Sequence, residues 1–439
     1  SNATTIELSN NEGTPYVLQT GAILISPTVG ANDSSIIGAG QLTTNNQGNL
    51  RNFLFHQYNE LGDLVVGAPL VERAPIVRSG RLTSGDRRVL SALSRTDDLE
   101  VGATLTGSGI TVNPTYITEI LDNNAVRISS EATGGDNRYE LTFTVSGTQI
   151  KRFATQQTTT TQNRINGVVN TATGEMSTSD IYLGMPISGP GIPPGALVDF
   201  IFNDTDIRIN TNHHFNGIVS EFTLTPSVGI EKLGGGTLIL SGVNTYTGVT
   251  FLADGVVRAQ TLTDGGVAGS LGASSNANAN LNFNGGTLQY VGENSSTNRN
   301  FTITDFARIN IGHEKTTSIF TGSFSVTGTI GATDRLVKSG SGTLEMRGSG
   351  SPNEVRIEEG TLRIQAVDLN AAPASYSQSN LGGGNLGIVR LAGGTLELRG
   401  AQEGNTTVTY GGALYVEEGA SEVRAISVQG YNPNDLSSG

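Results

Sequence analysis

Apolar and polar residues alternate along this chain in short runs, and the runs recur. The tripeptide Gly-Thr-Leu opens them at 236–238, 286–288, 342–344, 360–362 and 394–396, with Gly412-Ala413-Leu414 as a variant. In Leu238-Ile239-Leu240, Leu288-Gln289-Tyr290, Leu344-Glu345-Met346-Arg347, Leu362-Arg363-Ile364-Gln365 and Leu396-Glu397-Leu398-Arg399 the first and third positions are apolar. The position between them is mostly charged or an amide. Period two predicts strands with one buried face and one wet face. Leu238, Leu240, Leu344, Met346, Leu362, Ile364, Leu396 and Leu398 are expected to point inward, and Glu345, Arg363, Glu397 and Arg399 outward. Gly and β-branched residues dominate and no 3.6-residue stripe is sustained, so helices are not expected.

The residues before each tripeptide match as well. Ile230-Glu231-Lys232-Leu233-Gly234-Gly235-Gly236-Thr237-Leu238 lies without a gap on Leu336-Val337-Lys338-Ser339-Gly340-Ser341-Gly342-Thr343-Leu344, and a second Gly-led strand follows the tripeptides at 236, 342 and 394, at Gly255, Gly360 and Gly412. Two short strands with two turns make most of one coil of a solenoid. In a parallel β-helix the coils stack ~4.8 Å apart and the backbone bonds run between coils. Inward positions then form aliphatic ladders, as Leu238, Leu344, Leu362 and Leu396 would, and corners that need positive φ or close backbone approach take Gly. Asn and Thr bond turn backbone or stack near corners, which suits Asn244-Thr245-Tyr246-Thr247-Gly248.

The stretch Lys232-Leu233-Gly234-Gly235-Gly236-Thr237-Leu238-Ile239-Leu240-Ser241-Gly242-Val243-Asn244-Thr245-Tyr246-Thr247-Gly248-Val249-Thr250, closed by Ala253-Asp254-Gly255-Val256-Val257, resembles the passenger-associated transport repeat of autotransporter proteins. The copy at 336–364 keeps Lys338, Gly340, Gly342, Thr343, Leu344 and Gly360-Thr361-Leu362 but lacks the Asn-x-Tyr-x-Gly segment. The unit at 394–414 is weaker. The resemblance implies a right-handed β-helical piece of a secreted or cell-surface passenger; the outer-membrane translocator barrel that autotransporters carry would be either part of the parent protein or absent from it.

A different repeat occupies the middle of the chain. Asp98-Leu99-Glu100-Val101-Gly102-Ala103-Thr104-Leu105-Thr106-Gly107-Ser108-Gly109-Ile110 aligns with Asp180-Ile181-Tyr182-Leu183-Gly184-Met185-Pro186-Ile187-Ser188-Gly189-Pro190-Gly191-Ile192. Further on, Val126-Arg127-Ile128 meets Ile207-Arg208-Ile209 and Leu141-Thr142-Phe143 meets Phe222-Thr223-Leu224, one residue having been lost between. Two antiparallel β-modules are the natural reading. The expected organisation is an all-β, right-handed parallel β-helix interrupted by two small inserted β-modules. Its parts are an N-terminal β-helical section at 4–75, module 1 at 76–146, module 2 at 147–226 and the repeat-bearing β-helix at 227–439. Solenoids accept insertions at corners, because a coil need only re-enter in register.

Composition sharpens this picture. Gly is 59 of 439 residues, about twice the usual ~7%, without the strict period of collagen. The net charge is −13, from 26 Lys and Arg against 39 Asp and Glu, and no basic cluster stands out, which argues against a nucleic-acid partner. No apolar stretch approaches the ~20 residues that span a bilayer. The chain has no Cys, which removes disulfides, thiolate catalysis and Cys-based zinc sites together.

Candidate chemistry is thin. His213 and His214 are adjacent, so on a strand they point to opposite faces and do not make a metal site. His56 has no Ser or Asp constellation around it in sequence, and His313-Glu314 falls by a glycine in a loop. The acidic doublets Asp97-Asp98, Glu358-Glu359 and Glu417-Glu418 diverge on a strand, whereas a glycosidase needs converging carboxylates. Glu345 and Glu397 hold equivalent repeat positions and read as ladder or surface residues. There is no Trp for a sugar-stacking platform. Gly189-Pro190-Gly191-Ile192-Pro193-Pro194-Gly195 lacks the Lys-Ser/Thr of a phosphate loop, and Gly265-Gly266-Val267-Ala268-Gly269 lacks the Asp of a calcium-binding nonapeptide.

No catalytic, cofactor-binding or metal-ligating residue and no cofactor is therefore expected. The function expected is that of a non-enzymatic, extracellular or outer-membrane-surface passenger segment, a stalk or adhesin-like scaffold. Its partner would be an unidentified surface glycan or protein, met by the modules through stiff loops such as Asn113-Pro114-Thr115 and 191–195, the alternative being that the modules are spacers with no partner. The alternative reading is a β-helical carbohydrate-active enzyme or tailspike-like depolymerase.

Overall fold

A computed structural model describes residues 4–10, 15–18, 21–44, 52–72, 76–83, 86–93, 96, 99, 104–112, 115–132, 138–144, 150–154, 162–170, 176, 178, 181, 185–193, 196–213, 220–224, 227–312, 317–320, 324–326, 335–346, 352, 354–365, 388–399, 413–417 and 419–426. Among these the protein is all-β apart from two single-turn 3-10 segments, Pro27–Val29 and Asn278–Asn280. Three parallel sheets form the walls of a β-helix. The first face has 11 strands from Thr4–Glu7 to Leu414–Val416, the second has 7 from Ala22–Ile25 to Phe324–Val326, and the third has 6 from Ser295–Thr297 to Glu422–Ile426. The chain passes repeatedly from second face to first, as in Phe53–Gln57 followed by Leu64–Val66 and Ile230–Leu233 followed by Thr237–Leu240.

The inward positions are those that period two selects. Leu238, Leu240, Leu344, Met346, Leu362, Ile364, Leu396 and Leu398 are all buried, and they belong to one continuous core running from Leu42 to Leu398. The ladders are register-exact: Leu64, Leu238, Val257, Leu288 and Ile309 succeed one another on the first face, and Leu344, Leu362, Leu396 and Val423 on the third.

Two sequence expectations need correction. Leu238 does not share a ladder with Leu344, Leu362 and Leu396. The first repeat copy turns from second face to first, while the second copy turns from first face (Arg335–Ser339) to third (Thr343–Met346). The motif encodes a corner between two strands, and any corner of the coil accepts it. Secondly, Glu345, Arg363 and Glu397 do lie opposite the leucines, but that side is not wet, and their exposures are 1%, 6% and 3%. They stack in register, and Arg363 Nη1 donates to Glu345 Oε2 at 3.3 Å while its Nε donates to Glu397 Oε1. A cation between two anions compensates the desolvation that alternation alone would forbid. The side chain of Arg399 lies outside the described residues.

Two β-modules interrupt the β-helix between Val71 and Val228. The first is a closed antiparallel barrel whose strands run from Ile76–Thr83 to Arg138–Thr144, and the second holds a 4-stranded and a 3-stranded antiparallel sheet between Ile150–Ala154 and Ser220–Leu224. Each has a separate core, Leu90, Leu99, Leu105, Ile117, Val126 and Ile128 in one and Ile165, Ile181, Ile187, Val198, Ile207 and Ile209 in the other. The β-helix ignores the interruption: Phe53 pairs with Ile230 and Leu64 with Leu238, as consecutive coils do elsewhere.

Candidate functional site

The motif corner is built around a buried cation. Lys232 is fully buried, and its Nζ donates to the Leu233, Gly234 and Asp254 carbonyls at 3.1, 2.5 and 3.2 Å. Lys338 repeats this on a different pair of faces, donating to the Ser339, Gly340 and Glu359 carbonyls at 2.8, 2.6 and 3.0 Å. In each case two acceptors belong to the corner itself and one to the next coil, so the ammonium ties successive coils together. Burial pushes Lys232 down to about 8 and Lys338 down to about 7, with the charges of Asp254 and Glu359 opposing. Gly255 and Gly360 complete the two corners at φ +62° and +64°. A Cβ on Gly360 would sit 2.4 Å from the Gly340 and Gly342 oxygens, which is why the second strand of each repeat is led by Gly.

Arg299 serves similarly at the corner between the third-face strand Ser295–Thr297 and the second-face strand Phe301–Ile303. It is buried, and its guanidinium donates to the carbonyls of Thr263 (3.0 Å), Val267 (3.3 Å), Gly272 (2.8 Å) and Ser274 (3.2 Å). Five donors in a fixed fork suit a loop whose carbonyls lack a strand partner.

The Asn-x-Tyr-x-Gly segment of the first repeat stitches the β-helix beside the insertion. Asn244 Oδ1 accepts from Leu70 N at 2.9 Å and Asn244 Nδ2 donates to Ser270 O at 2.9 Å, linking one coil to those on either side. Tyr246 is fully buried, its hydroxyl 2.9 Å from Thr250 Oγ1. Glu72 Oε1 accepts from Thr247 N (3.1 Å), Val228 N (3.3 Å) and the Thr247 hydroxyl, so one carboxylate clamps the outgoing strand, the returning strand and the coil beyond.

The two modules repeat the same hydrogen bonds at equivalent positions although one closes as a barrel and the other forms two sheets. Thr96 Oγ1 donates to Asp122 O and Thr178 Oγ1 to Asn203 O. Leu93 N donates to Asn124 O, and Val168 N to Thr205 O. Ile110 N and Ile192 N close the same turn on Gly107 O and Gly189 O.

Residues singled out from sequence separate into three groups. Glu358 and Glu417 join an ion-pair lattice on the outer side of the first face: Glu358 meets Arg308 and, at 3.2 Å, Arg356. Glu417 meets Arg356 at 2.5 Å and Arg390 at 3.3 Å. Burial pushes the Glu358 carboxyl up, but Arg308 and Arg356 outweigh it and hold the group below the usual carboxylate range. Glu345 and Glu397 are held by Arg363, so each of these four carboxylates faces a guanidinium. His56, on the strand Phe53–Gln57, stacks on Tyr58 with centroids 6.1 Å apart. His213 ends the strand Asp206–His213, its side chain outside the described residues. Asp97, Asp98, His214, His313, Glu314, Glu418, Asn113, Pro114, Pro194 and Gly195 lie wholly outside them. Among the described residues no three His, Asp or Glu side chains are grouped to hold a metal ion. Sequence reasoning passed over Glu231, whose carboxyl burial pushes up while His56 opposes. Its neighbours in register are Leu54 and Phe251, which explains the desolvation.

Comparison with known proteins agrees with the corner chemistry. The passenger-associated-transport-repeat family matches residues 230–259 and 336–364, the two lysine-centred corners with their closing strands. The Adhesin BmaC autotransporter of Brucella suis biovar 1 (strain 1330) is 37% identical over 179 residues, which is 40% of this chain but 5% of that protein. The chain thus spans a small fraction of the relative it matches. No helix among the described residues is long and apolar enough to cross a membrane, which says nothing of a β-barrel.

Proposed function

We propose that this chain, which carries the passenger-associated transport repeats of autotransporter passengers, is a non-enzymatic adhesin-like scaffold that holds two modules, 76–146 and 147–226, out from a rigid β-helix at a bacterial surface. The carrying observation is the pairing of Phe53–Gln57 with Ile230–Leu233 and of Leu64–Val66 with Thr237–Leu240 across the whole insertion. A rod whose register does not depend on the modules leaves their loops and outer faces unconstrained by its ladder, which is where recognition residues concentrate on rigid scaffolds. The relative's adhesin name supports the same reading. Neutralisation of Glu345, Glu358, Glu397 and Glu417 by arginines supports the non-enzymatic part, since hydrolysis needs a carboxylic acid and a carboxylate flanking a bond. The parent protein would carry the translocator barrel and further coils.

The test is deletion of 76–226 with a short Gly/Ser closure beside Glu72, followed by circular dichroism and binding to immobilised glycans and extracellular-matrix proteins. The expected result is a folded rod that has lost the binding of the intact chain. Undiminished binding by the deleted chain overturns the reading.

A further inference from the structure

The insertion leaves and rejoins the β-helix between Val71 and Val228, and module 2 meets the β-helix again several coils further on. Its strand Val198–Asn203 runs alongside the single-turn segment Asn278–Asn280, with Cα atoms within 8 Å. Face-packed sheets stand ~10 Å apart, so here backbone lies next to backbone. Val198–Asn203 is also an end strand of its three-stranded sheet. End strands leave N–H and C=O groups without a sheet partner, and folded proteins cover such edges with a loop or a neighbouring element.

The receiving turn is tied to the coil beyond it. It closes the segment 260–280, which links the first-face strand Val256–Ala259 to the second-face strand Leu281–Phe283. Arg299 gathers four carbonyls of this segment, those of Thr263, Val267, Gly272 and Ser274. Beside it, Asp264 Oδ1 accepts from Asn298 N and Asn298 Oδ1 from Gly265 N, both at 2.8 Å. At the turn itself Thr302 Oγ1 donates to Asn278 O at 3.0 Å, Asn300 N to Asn276 O at 3.3 Å and Asn280 Nδ2 to Ser275 O at 3.1 Å. The effect shows on the outer side of the second face, where one register column runs Leu54, Glu231, Phe251, Asn282, Thr302. The first three are half-buried, but the polar Asn282 and Thr302 are each 1% exposed. The outer side is thus covered at the coils where this turn lies.

We infer that module 2 is held in one orientation on the β-helix by the docking of its end strand Val198–Asn203 on the Asn278–Asn280 turn, with Arg299 as the positioning residue that keeps the turn's loop in place. Domains joined only through their linkers move relative to one another by default. A second attachment removes that freedom, and a pull on module 2 passes to the coils at 281–303 as well as to the strands that flank the insertion. The side of module 2 that carries Val198–Asn203 is spent on the β-helix, which leaves the opposite side turned outward. The inference goes beyond the display function and does not depend on it, because a module without a partner would be fixed in the same way.

The full chain has no native Cys, so pairs of spin labels report the orientation directly by double electron–electron resonance. One pair, Asp204→Cys with Val243→Cys, spans module 2 and the β-helix, and a control pair, Val243→Cys with Ser296→Cys, lies wholly on the β-helix; all three positions are exposed. The expected result is a single distance distribution for the spanning pair, as narrow as that of the control pair. Adding Arg299→Met, which removes every donor to the loop, should broaden the spanning distribution and leave the control unchanged. A residue that merely stabilised the coils would broaden both. Should Arg299→Met fail to fold, Thr302→Val with Asn280→Ala replaces it, freeing the turn while leaving the Arg299 bonds intact, with the same broadening expected. A broad spanning distribution in the unsubstituted background overturns the inference, as does a distribution that stays narrow in a folded variant. The display function is tested by binding and this inference by distance alone, so the failure of one is told apart from the failure of the other.

Discussion

Replacing Lys338 by Met keeps the length of the aliphatic stem and removes only the buried cation, so it isolates what the corner ammonium does. Three carbonyls lose their donor: Ser339 and Gly340 in the corner and Glu359 in the next coil. An acceptor left unsatisfied in the interior costs about 1–3 kcal/mol. Against this stands the desolvation of the ammonium, which pushes it down to about 7, so that near neutral pH about half the folded molecules have already shed the proton. The net expected loss at pH 7 is about 2–4 kcal/mol, localised to the coils around 335–365. The pH dependence has a definite sign. The folded value lies below the unfolded ~10.4, so between them the unfolded chain holds a proton that the folded chain does not, and stability rises with pH. From pH 6 to 8.5 this one group should add about 2 kcal/mol to the native chain, and the Met variant should lack that gain. Amide hydrogen exchange read on peptides covering 335–365, corrected for intrinsic rates, measures both effects. A Met variant as protected as the native chain would refute the idea that the Lys338 amine staples the coils, and a native chain whose protection falls over this pH range would refute the claim that burial pushes its pKa down.

Two further substitutions probe the same architecture. Gly360→Ala places a Cβ 2.4 Å from two carbonyl oxygens at φ +64°. Left-handed strain alone costs about 1–2 kcal/mol, so thermal unfolding should shift down by several degrees, whereas Gly266→Ala, with the same sign of φ but open space, should cost only the strain. Arg363→Met removes the guanidinium that buried Glu345 and Glu397 share and should cost about 3–5 kcal/mol in urea denaturation, while replacing all three by Leu, Met and Leu should be close to neutral. A small effect of Arg363→Met alone would show that the triad is solvated rather than buried.

Much of the fold was legible because period two runs through the β-helix and the Gly-Thr-Leu register recurs at five places along it. The inward leucines from Leu238 to Leu398 follow from alternation and nothing else. What alternation cannot report is how the opposite side is covered, and Glu345, Arg363 and Glu397 read as surface because charge normally means water. The mutual arrangement of repeat copies was also hidden, since Lys232 and Lys338 build the same corner between different pairs of faces and the local sequence is indifferent to which. Both lysines stood in the aligned motif, yet a Lys in a Gly-rich turn carries no sign that its ammonium is buried among carbonyls; only the positions of the 233–234 and 254 backbone make that visible.

The central claim is that one β-helix runs through the insertion in register. The absence of native Cys makes it directly testable by cross-linking. Val65 and Ile239 are partners on adjacent parallel strands although the two modules lie between them in sequence, and both are half-buried on the outer side of the first face. The Val65→Cys, Ile239→Cys variant should form a disulfide nearly completely under mild oxidation, since neighbouring strands ~4.8 Å apart lie within disulfide reach. The Val65→Cys, Thr237→Cys variant, displaced along the strand by one pleat, should form little. Efficient closure of the displaced pair, or failure of the in-register pair in a folded chain, would contradict a continuous β-helix.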